Sequence, residues 1–434
     1  MPVTLPSAVI DRRYRRIALV GKYDRQGLAY LSMSIITAII PALIVLDLIW
    51  WFAADRLLRK AGWKKRVRIF HSLFFGFQLA ALLAVIASRQ SELWDHLPRF
   101  VTTAVYLWHL LILPLLLPLL VVSAIVALVC WVIRKIRARE TRRIQNDNTG
   151  MSRRAFLAAT AAFTPQLFTV GLTAIAVRQL EQFRVRRMTI AIRGLPPALD
   201  GLTIAHVSDM HAGRFTRSSV LHEMTAAVND LRSELVLVTG DLINGALHEI
   251  PEGTDAVRRL DARSGVYMIE GNHDLFQGRE AFESQVKASG IPLLVNETAH
   301  LTVRSQPLQL LGLRWGGPIF RRRQGYDDAT IAASFDELLA LRDPEAFPIL
   351  LAHHPHAFDP AAAAQLPLTL SGHTHGGQLM LNAEMGFGPM MFRYWSGHYT
   401  RGDSHLIVSN GVGNWFPLRT RAPAEIIHLT LRRV

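Results

Sequence analysis

The sequence predicts an α/β domain that follows a set of transmembrane helices. Half of the 434 residues are apolar, and the longest apolar stretches lie in the first 184 residues, more than a soluble enzyme of this size needs. From about Arg186, short β-type runs alternate with amphipathic helices such as Arg217–Leu231 and Asp328–Leu341, the pattern of an α/β domain. We therefore expect a basic tail at 1–27, a membrane region at 28–184 and an α/β domain at 185–434.

The charge is divided unevenly between the two halves. Residues 1–184 hold 25 Lys/Arg against 9 Asp/Glu, whereas residues 185–434 hold 23 against 25. Basic residues of membrane proteins flank the spans and meet anionic headgroups, so the overall charge of +14 belongs to the membrane half. We expect no nucleic-acid partner, because nucleic-acid binding draws on Lys and Arg to neutralise phosphates. Cys130 is the only cysteine, so an intrachain disulfide is excluded.

Four stretches have the roughly 20 apolar residues that a membrane span requires. The third is long enough to tilt, or to break at Pro114 and Pro118. The predicted spans are Leu28–Phe52, Phe70–Ser88, Val101–Ile133 and Ala155–Ala176.

The charges of the linkers predict the orientation. The linkers at 56–68 and 134–154 are strongly basic and the linker at 89–99 is nearly neutral, so the basic linkers are expected on the cytoplasmic side. The fourth span then delivers the C-terminal domain to the periplasmic side of the cell membrane. This topology leaves the basic N-terminal tail outside. A re-entrant first segment, a translocated tail and an inverted orientation remain open.

The fourth span begins with Ser152-Arg153-Arg154-Ala155-Phe156-Leu157, which resembles the twin-arginine export signal. The alternative is an ordinary pair of basic residues at the cytoplasmic end of a helix. The first interpretation makes the twin-arginine export machinery a candidate partner.

Five apolar runs of the C-terminal half end in side chains that bind metals. Buried strands of α/β proteins end at a common edge, where their side chains project into one crevice. The five ends therefore predict a single pocket. The runs with their polar ends are Leu202–His211, Leu235–Asp241, Val266–Asp274, Pro348–Pro355 and Leu368–His375.

The spacing of these side chains favours chelation. Asp209 and His211 are two residues apart, as are His373 and His375, and in an extended chain such pairs point to the same side. Carboxylate, imidazole and amide groups suit borderline or hard divalent ions. Glycines, which let the backbone turn sharply, come directly before three candidate ligands, at Gly240, Gly271 and Gly372.

Each motif alone is commonly a loop or a helix cap, but their ordered occurrence resembles the calcineurin-like metallophosphoesterase superfamily over about Leu202–Leu431. The resemblance implies a four-layer α/β/β/α sandwich and a metal-dependent phosphoric ester hydrolase. The motifs are Asp209-x-His211, Gly240-Asp241, Gly271-Asn272-His273-Asp274, His353-x-Pro355 and Gly372-His373-x-His375.

The resemblance also implies a site with two divalent metal ions, with Mn, Fe or Zn as the candidates. His353 is preferred to His354 because the family motif is His-x-Pro. One metal is assigned to Asp209, His211 and His375, the other to Asn272, His353 and His373, and Asp241 bridges both.

The mechanism implied for such a site uses two metals about 3.5–4 Å apart that acidify a shared water, and the resulting hydroxide attacks phosphorus. His273 is expected to donate a proton to the leaving oxygen, with Asp274 fixing its tautomer. Arg419 and the run Arg321-Arg322-Arg323 are candidate phosphate contacts. A structural or solvated arginine is the alternative for both.

The order of spans, Ser-Arg-Arg-x-Phe-Leu, Gly376-Gly377-Gln378 and Gly411-Val-Gly413 resembles a membrane-associated branch of the superfamily. That branch includes twin-arginine-exported phosphodiesterases and UDP-diacylglucosamine pyrophosphatase-like enzymes. We therefore expect hydrolysis of a phosphodiester or pyrophosphate bond of a lipid or lipid-linked substrate, with membrane lipids as partners. The alternative is a non-catalytic membrane scaffold or sensor. Such proteins tend to lose ligands or the catalytic histidine, and this sequence retains both.

Overall fold

The computed structural model describes residues 39–88, 96–137, 152–316 and 328–434. Its described residues fall into two compact units. Residues 39–88, 108–137 and 152–169 belong to one unit, and residues 96–107 and 170–434, apart from the gap at 317–327, belong to the other.

Within the described residues, three helical stretches are long and apolar enough to cross a membrane: Lys65–Ser88, Arg99–Ile133 and Arg153–Gln179. They coincide with the second, third and fourth predicted spans. The first predicted span, Leu28–Phe52, lies partly outside the described residues, and its described part is helical. The helices are α1 (39–60), α2 (Lys65–Ser88), α3 (Arg99–Leu107), a π-helix (Trp108–Ile112), α4 (Leu113–Arg137) and α5 (Arg153–Gln179).

The third helical stretch changes from α-helix to π-helix for one turn, just before Pro114. Pro118 lies inside α4 without ending it, whereas the π-helix comes just before Pro114. Pro114 has no N–H for the carbonyl of Leu110, and a wider turn relieves the lost α-helical bond. In the same unit Asp47 is buried, accepts a hydrogen bond from Trp108 Nε1 at 2.7 Å and lies 2.9 Å from Nε2 of His109.

Two sheets form the C-terminal domain. The first has the order β1 (Arg184–Ile192), β11 (Glu425–Arg433), β2 (Thr203–Val207), β3 (Leu235–Thr239) and β4 (Val266–Ile269). The second has the order β5 (Glu297–Val303), β6 (Gln306–Gly312), β7 (Phe347–Leu351), β8 (Leu368–Ser371), β10 (Ser404–Val408) and β9 (Gly397–Arg401). The strands β2, β3 and β4 are parallel, as are β6, β7, β8 and β10.

Helices cover both outer faces, so the predicted four-layer sandwich is confirmed. The core of the first sheet includes side chains from three helices, and the core of the second includes side chains from two. The helices on the first sheet are α6 (Ser218–Asp230), α7 (Ile250–Arg258) and α8 (Arg279–Ala288), and those on the second are α9 (Asp328–Leu339) and α10 (Phe358–Ala363). A short helix, α11 (Phe387–Met391), follows β8.

Alternation along the strands explains why the central ones read as continuous apolar runs. In β3, Leu235 and Leu237 pack between the two sheets, whereas Val236 and Val238 pack against the helices. Because neighbouring residues of a strand face opposite sides, a strand covered on both faces is apolar at every position. All five predicted runs therefore contain strands, namely β2, β3, β4, β7 and β8.

Two helices that carry candidate spans have ends packed on this domain, within the same compact unit. The ring of Tyr106 in α3 lies 5.3 Å from that of Phe215 and 6.3 Å from that of Phe416. Gln179, the last residue of α5, accepts a hydrogen bond from the main-chain N–H of Arg419 at 3.2 Å. The loops that they touch also carry the residues of the candidate site or support them.

Candidate metal centre

All seven predicted ligands lie just after strands, at the edge where the two sheets meet. The first sheet supplies four of them and the second supplies three. Three groups of described His and Asp side chains each have ligand atoms within 4.8 Å of one another. They are Asp209–His211–His375, Asp241–His353–His373 and His211–Asp241–His273.

Asp209, His211 and His375 form the first group, and all three are buried. The Nε2 atoms of His211 and His375 are 2.9 Å apart. Oδ1 of Asp209 lies 3.3 Å from Nε2 of His375 and 3.9 Å from Nε2 of His211. Three ligand atoms therefore converge on one point.

The second group combines one residue of the first sheet with two of the second. Oδ2 of Asp241 lies 3.3 Å from Nε2 of His353, and these two residues form a triad with His373. Oδ1 of Asn272 lies 2.8 Å from Nδ1 of His373. The three ligands predicted for the second metal, Asn272, His353 and His373, therefore lie next to one another and to the shared Asp241.

Asp241 connects the two groups through a single oxygen. Its Oδ2 is 3.5 Å from Nε2 of His211 and 3.3 Å from Nε2 of His353. Its other oxygen, Oδ1, accepts the main-chain N–H of His273 at 2.9 Å. This arrangement matches the one expected of a bridging carboxylate.

The donor set fits two divalent cations. Nδ1 of His353 donates to the carbonyl of Thr239 at 2.6 Å, so Nε2 is the nitrogen that faces the second group. That nitrogen is buried, and its polar neighbour in the described part of the chain is Oδ2 of Asp241 at 3.3 Å. A carbonyl commonly fixes one nitrogen of a metal-binding histidine and leaves the other to face the metal.

The loops that carry the predicted ligands are not extended. The expectation that ligands two residues apart point to the same side because the chain is extended is therefore wrong. Positive φ angles occur at five ligands, a rare conformation for residues other than glycine. The chain turns at each of these positions as it leaves its strand, and the turns direct the side chains into the crevice. The angles are 53° at Asp209, 45° at His211, 55° at Asp241, 73° at His373 and 49° at His375.

Two glycines allow the ligand loops to approach closely. Gly240 has φ 88°, and a Cβ there would collide with Nδ1 of His353. A Cβ at Gly372 would collide with the side chains of Ser208 and Asp209. Any larger residue would push the loops of the two sheets apart.

Burial sets the protonation of the imidazoles. Desolvation lowers the pKa of His211 and His375 below the ordinary value and lowers that of His373 to about 3. Desolvation also acts on His353, but the charge of Asp241 outweighs it and raises the pKa of His353 to about 9. Three of the four imidazoles are therefore neutral at pH 7, the form that binds metals.

The carboxylates stay ionised although they are buried. Burial acts to raise the pKa of Asp209, but His375 and His353 hold it below its ordinary value. Burial also opposes ionisation of Asp241, and His353 and His273 hold its pKa well below the ordinary range. Ionised carboxylates are the form that binds a divalent cation.

His273 lies beside the first group. Its Nδ1 lies 3.1 Å from the carbonyl oxygen of Asn244, which can accept only from a protonated nitrogen. Its ring centroid is 4.6 Å from that of His211. The bond to Asn244 fixes the ring and leaves Nε2 for a contact with substrate.

The structure corrects the prediction that Asp274 orients His273. The carboxylate of Asp274 accepts the N–H groups of Ile243 at 3.1 Å and Gly271 at 2.8 Å, and the carbonyl of Asn244 makes the orienting contact instead. His273–Leu275 form a 3₁₀ turn, in which successive side chains point about 120° apart. Burial and the charge of Asp241 raise the pKa of Asp274 well above its ordinary value.

Arg419 is buried behind the first group. Its guanidinium donates to the carbonyls of Asn410 at 2.8 Å and Gly413 at 2.6 Å, and to Oδ1 of Asn414 at 2.9 Å. Its Nη2 also lies 2.8 Å from Nδ1 of His375, and burial lowers its pKa to about 10. The phosphate contact stays a prediction, and the other candidate, Arg321-Arg322-Arg323, lies outside the described residues.

Aromatic rings surround the ligands. The Trp315 ring lies 5.1 Å from that of His373, and the Phe276 ring lies 4.5 Å from that of His273. The Trp415 ring is 6.3 Å from that of His273. Sequence reasoning missed Trp315 and Phe276, because neither belongs to a motif with a ligand.

Comparison with known proteins agrees with this geometry. The model of the calcineurin-like phosphoesterase family matches residues 202–377. The "Uncharacterized metallophosphoesterase YkuE" of Bacillus subtilis is 30% identical over 295 residues, which cover 65% of this chain and 98% of that protein. The chain belongs to the calcineurin-like phosphoesterase family, a family of metal-dependent phosphoesterases.

Two other relatives are matched over a smaller share of their own length. An "Uncharacterized metallophosphoesterase" of Helicobacter pylori (strain J99) is 30% identical over 233 residues, which cover 53% of this chain and 60% of that protein. A "Transmembrane protein with metallophosphoesterase domain" of Danio rerio is 26% identical over 285 residues, covering 63% of this chain and 64% of that protein. The matches to these two relatives therefore span less than two thirds of their length.

Replacing Asp241 with asparagine is expected to abolish binding of two metals, because the amide removes the charge shared by both groups. The measurement is the metal content of the purified full-length protein by mass spectrometry. Asp230→Asn, at an exposed position of α6, is the matched control. A retained stoichiometry of two would contradict the bridging role.

Replacing His273 with alanine is expected to reduce kcat on a diester by about 1,000-fold, the range of a lost general acid, with the metal content unchanged. His222→Ala, exposed on α6, is the control. An unchanged rate removes the leaving-group role.

Replacing Arg419 with lysine is expected to weaken metal binding by about 10–100-fold, the usual effect of losing a contact behind a ligand. Titration of the metal in the purified protein measures this effect, with the exposed Arg421→Lys as control. A raised KM with unchanged metal affinity would support a phosphate contact instead.

Proposed function

We propose that the protein is a membrane-anchored, dinuclear-metal phosphoesterase that hydrolyses a phosphodiester or pyrophosphate bond of a lipid or lipid-linked substrate. The observation that carries the proposal is the contact of one oxygen of Asp241 with both His211 and His353. Two divalent ions, with Mn, Fe or Zn as candidates, would neutralise charge on the phosphoryl oxygens and lower the pKa of the attacking water.

The residues around the ligands have separate tasks in this reaction. His273, fixed by Asn244, donates a proton to the leaving oxygen through Nε2. Phe276 and Trp415 flank His273 and place apolar surface beside the leaving group. Arg419 holds His375 in place from behind.

Several features support anchoring in the membrane. Three helical stretches of the described chain are long and apolar enough to span a bilayer, and the Danio rerio relative is named a transmembrane protein. Only four residues separate the end of α5 at Gln179 from the start of β1 at Arg184. Such a short tether keeps the site near the bilayer surface and raises the effective concentration of a lipid substrate.

We place the catalytic domain on the periplasmic side. Arg99, which ends the nearly neutral linker, forms an ion pair with Glu181 at the start of the domain, as expected if linker and domain share one side. The basic linkers then remain cytoplasmic. The Ser152-Arg153-Arg154 motif supports delivery by the twin-arginine machinery. In the structure, Oγ of Ser152 accepts the N–H of Ala155 at 3.1 Å, so this serine also caps α5.

The resemblance to the membrane-associated branch of the family suggests the substrate class. Enzymes of that branch act on phosphodiesters or on the pyrophosphate of a diacylglucosamine nucleotide. The metal centre with its aromatic rim is compatible with either bond.

The test uses the full-length protein in lipid nanodiscs, with Mn²⁺ or with chelator. We expect metal-dependent hydrolysis of bis-p-nitrophenyl phosphate and of at least one phospholipid or lipid-linked pyrophosphate, and loss of both activities in Asp241→Asn. A protein that binds two metals but hydrolyses none of these substrates would support the scaffold function instead.

A further inference from the structure

An exposed apolar surface lies next to the metal centre, on the segment that follows the ligand loop of His373 and His375. Between Leu379 and Met391 only Glu384 is ionisable. Contiguous exposed apolar surface on a folded domain marks a site of interaction. Its five side chains, which we call the apolar patch, are Leu381 (70% exposed), Met385 (55%), Phe387 (45%), Met390 (77%) and Met391 (64%).

The segment that carries the patch is held by its own hydrogen bonds. The N–H of Leu381 donates to the carbonyl of Met385 at 2.8 Å, and the N–H of Phe387 donates to the carbonyl of Leu379 at 3.1 Å. Oδ1 of Asn382 accepts the N–H of Met385 at 2.7 Å. The apolar side chains therefore project from a fixed frame that keeps them exposed.

The residues directly after the patch contact the candidate metal centre. The ring of Phe392, the residue after the patch, lies 5.6 Å from that of His373. The hydroxyl of Thr374, between the two ligands of this loop, donates to the carbonyl of Trp395 at 2.6 Å. The residues that follow the patch are therefore in direct contact with the loop that holds two of the predicted ligands.

The same segment adjoins the chain where it leaves the candidate spans. The N–H of Met380 donates to the carbonyl of Thr420 at 3.0 Å, and the preceding residue, Arg419, contacts the last residue of α5, Gln179. In the same loop, Phe416 packs on Tyr106 of α3, two residues before the apolar π-helix and α4. The segment that carries the patch is therefore linked by short loops to the residues at which two helices with candidate spans end in this unit.

Cationic side chains lie beside the patch. Arg421 is exposed and follows Thr420, which pairs with Leu379. Arg393 is also exposed and forms an ion pair with Asp359. An apolar surface with basic residues at its margins complements anionic headgroups over acyl chains.

We propose that the apolar patch inserts into the bilayer leaflet that the chain's own spans cross, and that a lipid substrate leaves the leaflet along it with its phosphate directed to the metals. This inference rests on the proposed membrane-anchored phosphoesterase function. It adds the surface that contacts the lipid and the direction of entry.

The kinetic test compares two substrates in the full-length protein. Met390→Asp combined with Met391→Asp is expected to lower turnover of a lipid substrate in vesicles at least tenfold and to leave hydrolysis of bis-p-nitrophenyl phosphate unchanged. Leu341→Asp, at an apolar position outside the patch that is 52% exposed, is the control and should change neither rate. An unchanged lipid rate, or an equal fall on both substrates, would overturn the proposal.

A second test does not depend on catalysis. In a Cys130→Ser background, Met390→Cys is labelled with an environment-sensitive fluorophore and placed in nanodiscs with or without brominated lipid. We expect blue-shifted emission that the brominated lipid quenches, whereas a label at Leu341→Cys should be unaffected. Water-like emission would overturn insertion, as would blue-shifted emission without quenching, which would indicate a second copy of the chain on the patch. If no phosphoester is hydrolysed but quenching occurs, the proposed reaction fails and the lipid contact stands.

Discussion

The carboxylate of Asp241 is the contact on which the two halves of the site depend. The first sheet supplies Asp209 and His211 and the second supplies His353 and His373, and Oδ2 of Asp241 lies within 3.5 Å of nitrogens from both sheets. Two buried imidazole groups around one carboxylate stabilise its ionised form. The sheets must therefore keep a fixed separation, and Gly240 and Gly372, where a Cβ would collide across the crevice, permit that separation.

This geometry carries strain that the rest of the fold supports. Five ligands have positive φ, and a non-glycine residue in that region costs about 1–3 kcal/mol. Main-chain bonds between loops hold the turns, for example from the N–H of Asp209 to the carbonyl of Gly240 at 3.0 Å and from that of His211 to the carbonyl of Asp241 at 3.0 Å. Such strain maintained by the surrounding structure is typical of functional sites.

The buried strands and the candidate ligands that follow them could be predicted from the sequence, because burial and residue spacing leave a clear pattern there. Strands covered on both faces are apolar throughout, so β2, β3, β4, β7 and β8 were found with the ligands after them. Edge strands such as β5 and β9 consist mostly of exposed and half-buried positions and gave no comparable signal. The contacts of Asp274 could not be predicted, because they depend on the direction of each side chain in a 3₁₀ turn. The carbonyls around Arg419 and the position of Trp315 likewise depend on loops that meet only after folding.

The helices that carry candidate spans and the predicted metal ligands share their supporting loops. Arg419 contacts His375 through its guanidinium and Gln179 of α5 through its main-chain N–H. Phe215, four residues after His211, packs on Tyr106 of α3. A displacement of either helix end would therefore be transmitted to a ligand of the first metal group through a single intervening contact or a short loop.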